Sequence, residues 1–509
     1  MMGNILLNKI KKIVKNMIMP GGTLSQKVAK GGFWVFFIRI TIRGLSFIRL
    51  IILARILSPN DFGLMGIALL TMSILETFSQ TGFEQALIHK KEDIESYLNS
   101  AWTVLILRGF ILFAILYFIA PYAAVFFNTP EAKPIIKVIG FSILFQAFTN
   151  IGITYFKKEL EFNKEFIYQF SGTLADFVVA VSAVLILKNV WALVFGLLAR
   201  KIVSCLVSYL IHSYRPRLSS DLGKAKELFG FGKWIMVSSI LVFLIVQGDD
   251  IFVGKLLGTT ALGFYQLAYR ISNMATTEIT QVISQVTFPT YSKLQNDLPK
   301  LREAYLKVLQ LIAFLSFPIT GLIFVLSPDF TKIFLGEKWM PMVLAMQVLC
   351  IFGVTRSINA LFGSVLLGIG KPSISTKASA IQLAIIIILI YPLTLKMDII
   401  GTSIVVSFSN VFIMFYLFLK IGPIMKIKYI NSLKEIQVFL FATIVMSVSL
   451  IIFKNVLIIN MEIGKLIILI FIGLVFYFGF IFLFCYFFQN NIRKNLKYYS
   501  KLLIDLNSD

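Results

Sequence analysis

Long apolar runs dominate this sequence, and they restrict its possible folds more than any other feature. Each is roughly 20 residues or longer, the length an α-helix needs to cross the hydrocarbon core of a bilayer. We therefore predict an all-α polytopic membrane protein with about 14 transmembrane helices. The predicted spans are residues 31–53, 61–83, 101–127, 134–156, 166–187, 189–212, 230–254, 261–290, 304–327, 341–367, 373–395, 398–420, 435–456 and 463–488.

Composition supports a membrane location. Only 14% of the 509 residues are charged, whereas a soluble protein carries charge at about a quarter of its positions. The net charge of +23 would suggest a nucleic-acid partner in a soluble protein. Here the basic residues lie mostly between the apolar runs, so we expect anionic membrane lipids to be their partners and exclude nucleic acid.

The distribution of lysine and arginine predicts the orientation. The N-terminal tail, the connections after even-numbered spans and the C-terminal tail hold roughly 26 basic residues, against about 7 in the other connections. Both termini are therefore expected in the cytoplasm, with the chain in the cytoplasmic membrane. Residues 1–28 have the spacing of a basic amphipathic segment lying on the membrane, or else form a disordered tail. Residues 489–509 form a basic tail.

A repeat of 200 residues predicts the domain organisation. The segments 32–68 and 232–268 share Gly32 with Gly232, Trp34 with Trp234 and Gly63 with Gly263 at equivalent positions. Each copy is an apolar run, a tight polar break and a second apolar run. Span 1 thus pairs with span 7, and an even offset preserves direction, which predicts two parallel six-helix lobes. The predicted parts are an N-terminal lobe (29–213), an inter-lobe loop (214–229), a C-terminal lobe (230–421) and spans 13 and 14 (422–488).

Histidine and cysteine offer no metal site. Cys205, Cys350 and Cys485 lie far apart in apolar runs, and His89 and His212 are equally isolated. We read the cysteines as small core residues and predict neither a metal nor a cofactor. The connections between spans are also too short for a soluble catalytic domain, so we expect no enzyme activity.

Charged residues within predicted spans are the candidate functional groups, because a charge at the bilayer centre costs about 2.5 kcal/mol or more. Arg39 and Arg43 are four residues apart and project from one helical face. Two guanidinium groups on one face suit an anionic headgroup such as a lipid pyrophosphate. The remaining charges of this kind are Arg49, Glu76, Arg108, Asp176, Asp249, Asp250, Arg270, Glu278 and Arg356.

Several of these charges are candidates for a gate or for ion coupling. Glu76 and Asp176 could carry a proton or cation, or form a buried ion pair. Arg49 and Asp249 are equivalent positions of the repeat, so Arg49 could pair with Asp249 or Asp250 in one transport state. The alternative is that Arg49 extends to the interface and the two aspartates bind a cation.

Several motifs resemble the polysaccharide transporter family, the Wzx-type flippases of lipid-linked oligosaccharides in the multidrug/oligosaccharidyl-lipid/polysaccharide superfamily. The similarity is greatest to the branch that exports exopolysaccharide, teichuronic acid and lipopolysaccharide, and it extends from about residue 25 to 420. The motifs are LARILSPNDFGLMGIA (53–68), GFEQALI (82–88), LFGFGKW (228–234), LLGTTALGFYQLAYRISN (256–273), FPTYSKLQND (288–297) and LGEKWMPM (335–342).

The resemblance implies two six-helix bundles around a central cavity and alternating access. It also implies translocation of an undecaprenyl-pyrophosphate-linked oligosaccharide, coupled to an H⁺ or Na⁺ gradient, in partnership with a polymerase of the same pathway. Cavity arginines are a theme of the family. Arg39, Arg43 and Arg270 fit it best, and Arg356 is the further candidate for binding pyrophosphate.

Two other functions stay open at this point. A multidrug antiporter of the same superfamily would need an acidic, cation-binding cavity, which the arginines of span 1 disfavour. A membrane polymerase or ligase acting on the same lipid-linked sugar would need a large extracytoplasmic loop. The connections expected on that side are short.

Overall fold

The computed structural model describes residues 24–89, 94–159, 161–219, 221–456 and 461–487. These residues are almost entirely helical and contain no strand. The helices are α1 Leu24–Ile56, α2 Pro59–Phe78, α3 Phe83–His89, α4 Glu95–Phe126, α5 Ala132–Ala147, α6 Thr154–Lys158, α7 Phe162–Leu187, α8 Trp191–Ile211, α9 Leu222–Leu256, α10 Gly258–Leu294, α11 Leu298–Phe330, α12 Val343–Gly368, α13 Pro372–Met425, α14 Tyr429–Val456 and α15 Glu462–Phe487. The predicted N-terminal amphipathic segment (1–28) lies largely outside the described residues, and the C-terminal tail (489–509) lies wholly outside them.

The helices are those of a multi-span membrane protein. Among the described residues, nine helices are long and apolar enough to cross a bilayer. The number becomes ten if the bent pair Ala132–Ala147 and Ile151–Lys158, which meet at 69°, is one span. The predicted spans lie on helices, but span 134–156 is divided over the bent pair and spans 11 and 12 share α13. The total of fourteen remains a prediction.

The chain divides into two compact units, residues 1–243 and 244–509. The boundary falls within α9, whereas the sequence suggested a loop at 214–229. That expected loop is shorter, because α9 already begins at Leu222. Its first turns are rich in lysine, alanine, glutamate and leucine, which favour a helix, and no proline follows Pro216 before them.

The remaining connection, residues 212–219, is bonded to unit 1 rather than loose. Asn99 of α4 accepts hydrogen bonds at Oδ1 from the Tyr214 hydroxyl (2.8 Å) and the Arg217 N–H (2.7 Å). The Ser219 N–H donates to Thr103 Oγ1 at 2.9 Å. Partial burial raises the pKa of the Tyr214 hydroxyl, so this group stays protonated and remains a donor.

The polar break of the first repeat copy is a helix cap. Ser58 Oγ accepts from the Asp61 N–H at 3.2 Å, and Asp61 Oδ2 accepts from the Ser58 N–H at 2.9 Å. This capping box starts α2. Asp61 Oδ1 also accepts from the Val190 N–H at 3.0 Å, which joins this turn to the start of α8. In the second copy Gly258, with φ +83°, makes the turn between α9 and α10.

Predicted spans 11 and 12 both lie in α13, and the helical conformation is interrupted between them. Met397 (φ −133°) and Asp398 (φ +50°) leave the helical conformation. Gly401 lies so close to the preceding helix that a Cβ would lie 2.1 Å from the Leu393 carbonyl oxygen. The two helical parts of α13 therefore touch beside the break, and their crossing the membrane as two spans remains a prediction.

The last two helices belong to the core of unit 2. The Tyr477 hydroxyl of α15 donates to the Phe314 carbonyl of α11 at 3.0 Å. Lys454 of α14 pairs with Asp329 of α11 at 2.7 Å. Spans 13 and 14 thus pack against α11.

Candidate functional site

The arginines of α1 differ in their surroundings. Arg43 is exposed, whereas the Arg49 side chain is mostly buried. Arg39 is part of the same helix, but its side chain lies outside the described part of the structure. The helix is continuous through all three positions, so Arg39 and Arg43 share a face by their spacing.

Arg49 forms a mostly buried ion pair with Asp176 of α7. The Nη2–Oδ1 distance is 2.7 Å, and the side chains are only 14% and 11% exposed. A charge at this depth is stable only beside an opposite charge, because desolvation otherwise outweighs its other interactions. Of the two interpretations of Asp176 from the sequence, ion carrier and buried ion pair, the structure contains the ion pair.

Gly196 of α8 makes room for this pair. A Cβ at this position would lie 2.5 Å from Asp176 Oδ1 and 3.1 Å from Arg49 Nη2. Arg200, one helical turn after Gly196, interacts electrostatically with Arg49. The pair therefore joins α1 to α7, and the absence of a side chain at Gly196 lets α8 pack against it.

Asp249 and Asp250 are stabilised differently, by neutral donors on the neighbouring helix. The Tyr265 hydroxyl donates to Asp249 Oδ2 at 2.5 Å, and Gln266 Nε2 donates to Asp250 Oδ2 at 3.0 Å. Asp249 is 3% exposed. These bonds fasten α9 to α10 across the short turn at Gly258.

The two repeat copies thus stabilise the charge at this position with partners on different helices. The positions equivalent to Tyr265 and Gln266 are Met65 and Gly66, whose side chains cannot form an ion pair or a charge-assisted hydrogen bond with Arg49. The partner of Arg49 is instead Asp176 on α7. Here Arg49 is bonded within unit 1, and the aspartates are bonded within unit 2. The predicted pairing of Arg49 with either aspartate remains a hypothesis about another conformation.

Arg270 and Arg356 belong to unit 2. Arg356 of α12 donates from Nη1 to the Tyr269 hydroxyl at 3.3 Å and lies 5.9 Å from the centre of the Phe352 ring. Arg270, the residue after Tyr269 in α10, is exposed. The structure therefore brings Arg356 against the turn of α10 that contains Arg270.

Glu76 lines a half-open cavity of about 450 Å³ in unit 1, together with Arg108 and Gln146. Arg108 donates to the carbonyls of Ser79 (2.7 Å) and Glu76 (2.9 Å) at the end of α2. A cation at a helix C-terminus satisfies the last carbonyls and the helix dipole, which supports a structural role for Arg108. Sequence reasoning missed the cavity, because its walls come from separate helices.

Metal ligands do not cluster in the described residues: no three histidine, cysteine, aspartate or glutamate side chains could hold one ion together. Cys205 and Cys350 both have free thiols. Of the acidic candidates, Asp176 has an ion-pair partner, Asp249 and Asp250 have hydrogen-bond donors, and Glu76 lines the cavity.

A family model described as "Polysaccharide biosynthesis protein" matches residues 52–344, more than half of the chain. This protein belongs to that family. The membership confirms the identification made from the motifs, which fall largely within the matched region.

Individual relatives agree with the family. The lipopolysaccharide biosynthesis protein WzxC of Escherichia coli K12 is 27% identical over 368 residues, covering 70% of this chain and 73% of WzxC. The teichuronic acid biosynthesis protein TuaB of Bacillus subtilis 168 is 28% identical over 300 residues, covering 58% and 61%.

Solved structures show what the fold is similar to. The lipid II flippase MurJ, in an inward closed conformation, gives a TM-score of 0.70 at 16% identity and covers 89% of this chain and 98% of MurJ. An inward-facing multidrug resistance MATE family transporter of the MOP superfamily gives 0.59 at 16% identity, covering 76% and 95%. The fold is therefore similar to that of a flippase and to that of a multidrug transporter.

Proposed function

We propose that this protein is a flippase of the bacterial cytoplasmic membrane. It moves a polyprenyl-pyrophosphate-linked oligosaccharide repeat unit from the inner to the outer leaflet. The product feeds the synthesis of a surface polysaccharide such as O-antigen, capsule, exopolysaccharide or teichuronic acid. The match of residues 52–344 to a polysaccharide biosynthesis family, on a multi-helix membrane fold similar to MurJ, carries the proposal.

The charges of α1 fit an amphiphilic cargo with an anionic head. Arg39 and Arg43 offer two planar forks for pyrophosphate oxygens on one helical face, with Arg270 and Arg356 as further partners. The internal repeat supports alternating access, in which two parallel lobes of six helices open to each side in turn. Both termini are cytoplasmic in this proposal, and an H⁺ or Na⁺ gradient supplies the energy.

The rival functions have less support. A multidrug antiporter shares the fold, but the family match and the α1 arginines favour an anionic, sugar-linked cargo. A polymerase or ligase would need a large extracytoplasmic domain. Between the described helices, the turns expected outside the cell, such as those after α1, α7 and α9, are only a few residues long.

Deletion of the gene in its own cell tests the proposal. We expect loss of the surface polysaccharide and accumulation of the complete lipid-linked repeat unit in the inner leaflet, with drug susceptibility unchanged. Accumulation in the outer leaflet would indicate a polymerase or ligase instead. Normal polysaccharide with increased drug susceptibility would indicate the antiporter.

A further inference from the structure

The cavity of unit 1 has a polar lining, and only some of its groups are hydrogen-bonded to the protein. It lies between the ends of α2 and α5 and the adjoining parts of α4 and α7, on the side predicted to face the cytoplasm. Its volume of about 450 Å³ falls in the range of roughly 300–1,000 Å³ that small-molecule sites occupy. We call it the unit 1 cavity.

Some polar groups of the unit 1 cavity are fully used by the protein. Arg108 donates to two backbone carbonyls and, at 2.9 Å, to Ser79 Oγ. Asn150 donates from Nδ2 to the Tyr214 carbonyl at 2.7 Å and accepts at Oδ1 from the Gly152 N–H at 2.9 Å. These two side chains build the wall and have little capacity left for a ligand.

Other lining groups have hydrogen-bonding capacity without a protein partner. Gln146 accepts at Oε1 from Lys201 Nζ at 2.7 Å, which fixes the carboxamide and leaves its NH₂ group as a donor. Within the described ranges, neither the Glu76 carboxylate nor the Gln80 carboxamide has a hydrogen-bond partner. A fixed amide donor and an open carboxylate acceptor thus line one cavity, beside the half-buried ring of Tyr168.

Charges of both signs lie around the unit 1 cavity. Glu84 pairs with Lys157 at 2.7 Å, and Glu76 interacts electrostatically with Arg108 and Lys201. The Glu76 carboxylate would repel a phosphate, and Arg108 and Lys201 would repel a cation. A neutral ligand is repelled by neither sign of charge. If it is rich in hydroxyl groups, it can also bond to both the donors and the acceptors of the lining, because each hydroxyl both donates and accepts.

We infer that the unit 1 cavity binds a neutral sugar residue of the lipid-linked cargo. Sugar hydroxyls donate to the Glu76 carboxylate and accept from the Gln146 amide, while the Tyr168 ring offers an apolar face to the sugar ring. The inference rests on the proposed flippase function and adds a sugar subsite that is separate from the arginines of α1.

Binding of free sugars to the full chain in lipid nanodiscs tests the inference. The probe is the mixture of neutral monosaccharides released by acid hydrolysis of the cell's own surface polysaccharide, observed by saturation-transfer NMR. We expect one of its sugars to bind, and Glu76→Gln or Gln146→Ala to raise its Kd by about ten-fold or more. Glu131→Gln, an exposed position beside α5, should leave the Kd unchanged.

Several results would overturn the subsite. They are no bound sugar in the mixture, an equal Kd in the variants, or tighter binding of glucuronic acid or a sugar phosphate. If Glu76→Gln or Gln146→Ala no longer elutes as a monodisperse species, the Kd of Gln80→Ala is measured instead, because Gln80 lines the same cavity. Export by the wild-type chain without sugar binding would reject only the subsite. Sugar binding without translocation of the lipid-linked unit would reject the flippase function instead.

Discussion

Replacement of Asp176 by alanine is expected to destabilise the protein by about 3–5 kcal/mol, because it leaves the buried guanidinium of Arg49 without its counter-ion. The side chains are only 14% and 11% exposed, so water compensates little of this loss. Thermal unfolding of the purified protein measures the effect. Glu131→Ala, an exposed acid without a capping bond, should unfold at the wild-type temperature, and an equal temperature for Asp176→Ala would contradict the prediction.

Double variants separate stability from transport at this pair. Arg49→Met with Asp176→Leu removes both charges and should recover most of the lost stability, since apolar residues often replace a buried pair without cost. If Arg49 also acts in the transport cycle, export stays impaired in this variant. The swap Arg49→Asp with Asp176→Arg tests the observed pair, and Arg49→Asp with Asp249→Arg tests the pairing predicted from the repeat. Recovery of export in the second swap alone would support the gate hypothesis.

Loss of both Arg39 and Arg43 is expected to abolish export while the protein remains in the membrane. Each arginine offers charge-assisted hydrogen bonds worth about 1.5–3 kcal/mol, so each alanine should lower export roughly ten- to a hundred-fold. Lysine at either position should rescue only in part, because an ammonium lacks the bidentate fork. The measurement is surface polysaccharide in a deletion strain, normalised to the protein in the membrane.

Arg55→Ala is the matched control for these variants, because Arg55 is an exposed arginine in the last turn of the same helix. It should export at close to the wild-type level. Wild-type export from the Arg39→Ala, Arg43→Ala double variant would remove the support for an anion site on α1. Loss of export in the Arg55 variant alone would move the site toward the end of that helix.

Local features of the fold could be predicted from the sequence. The break Ser58-Pro59-Asn60-Asp61 combines a capping residue, a proline at the first helical position and an acid at the third, and it became the capping box of α2. Apolar runs likewise predicted where helices lie. The predicted span 230–254 lies inside α9, but apolar length does not show where that helix begins, because its first turns are polar and contain lysine.

The site depended on contacts that local sequence does not specify. Arg49 meets Asp176 only because α1 packs on α7 and Gly196 lets α8 approach. The partners of Asp249 and Asp250 could have been found, because an antiparallel hairpin with a turn at Gly258 places Tyr265 and Gln266 opposite them. Gln146 and Glu76 gave no such signal, since their shared cavity exists only after several helices have packed.

Translocation in proteoliposomes tests the flippase function most directly. Purified protein is reconstituted with the cell's own lipid-linked repeat unit, and the fraction exposed to an impermeant lectin is followed with time. The proposal predicts that the wild-type chain exchanges the repeat unit between leaflets much faster than protein-free liposomes do. It also predicts that the Arg39→Ala, Arg43→Ala variant falls to the protein-free rate. Exchange by the wild-type chain at the protein-free rate, with the protein folded and a coupling gradient of H⁺ or Na⁺ imposed, would contradict the flippase function.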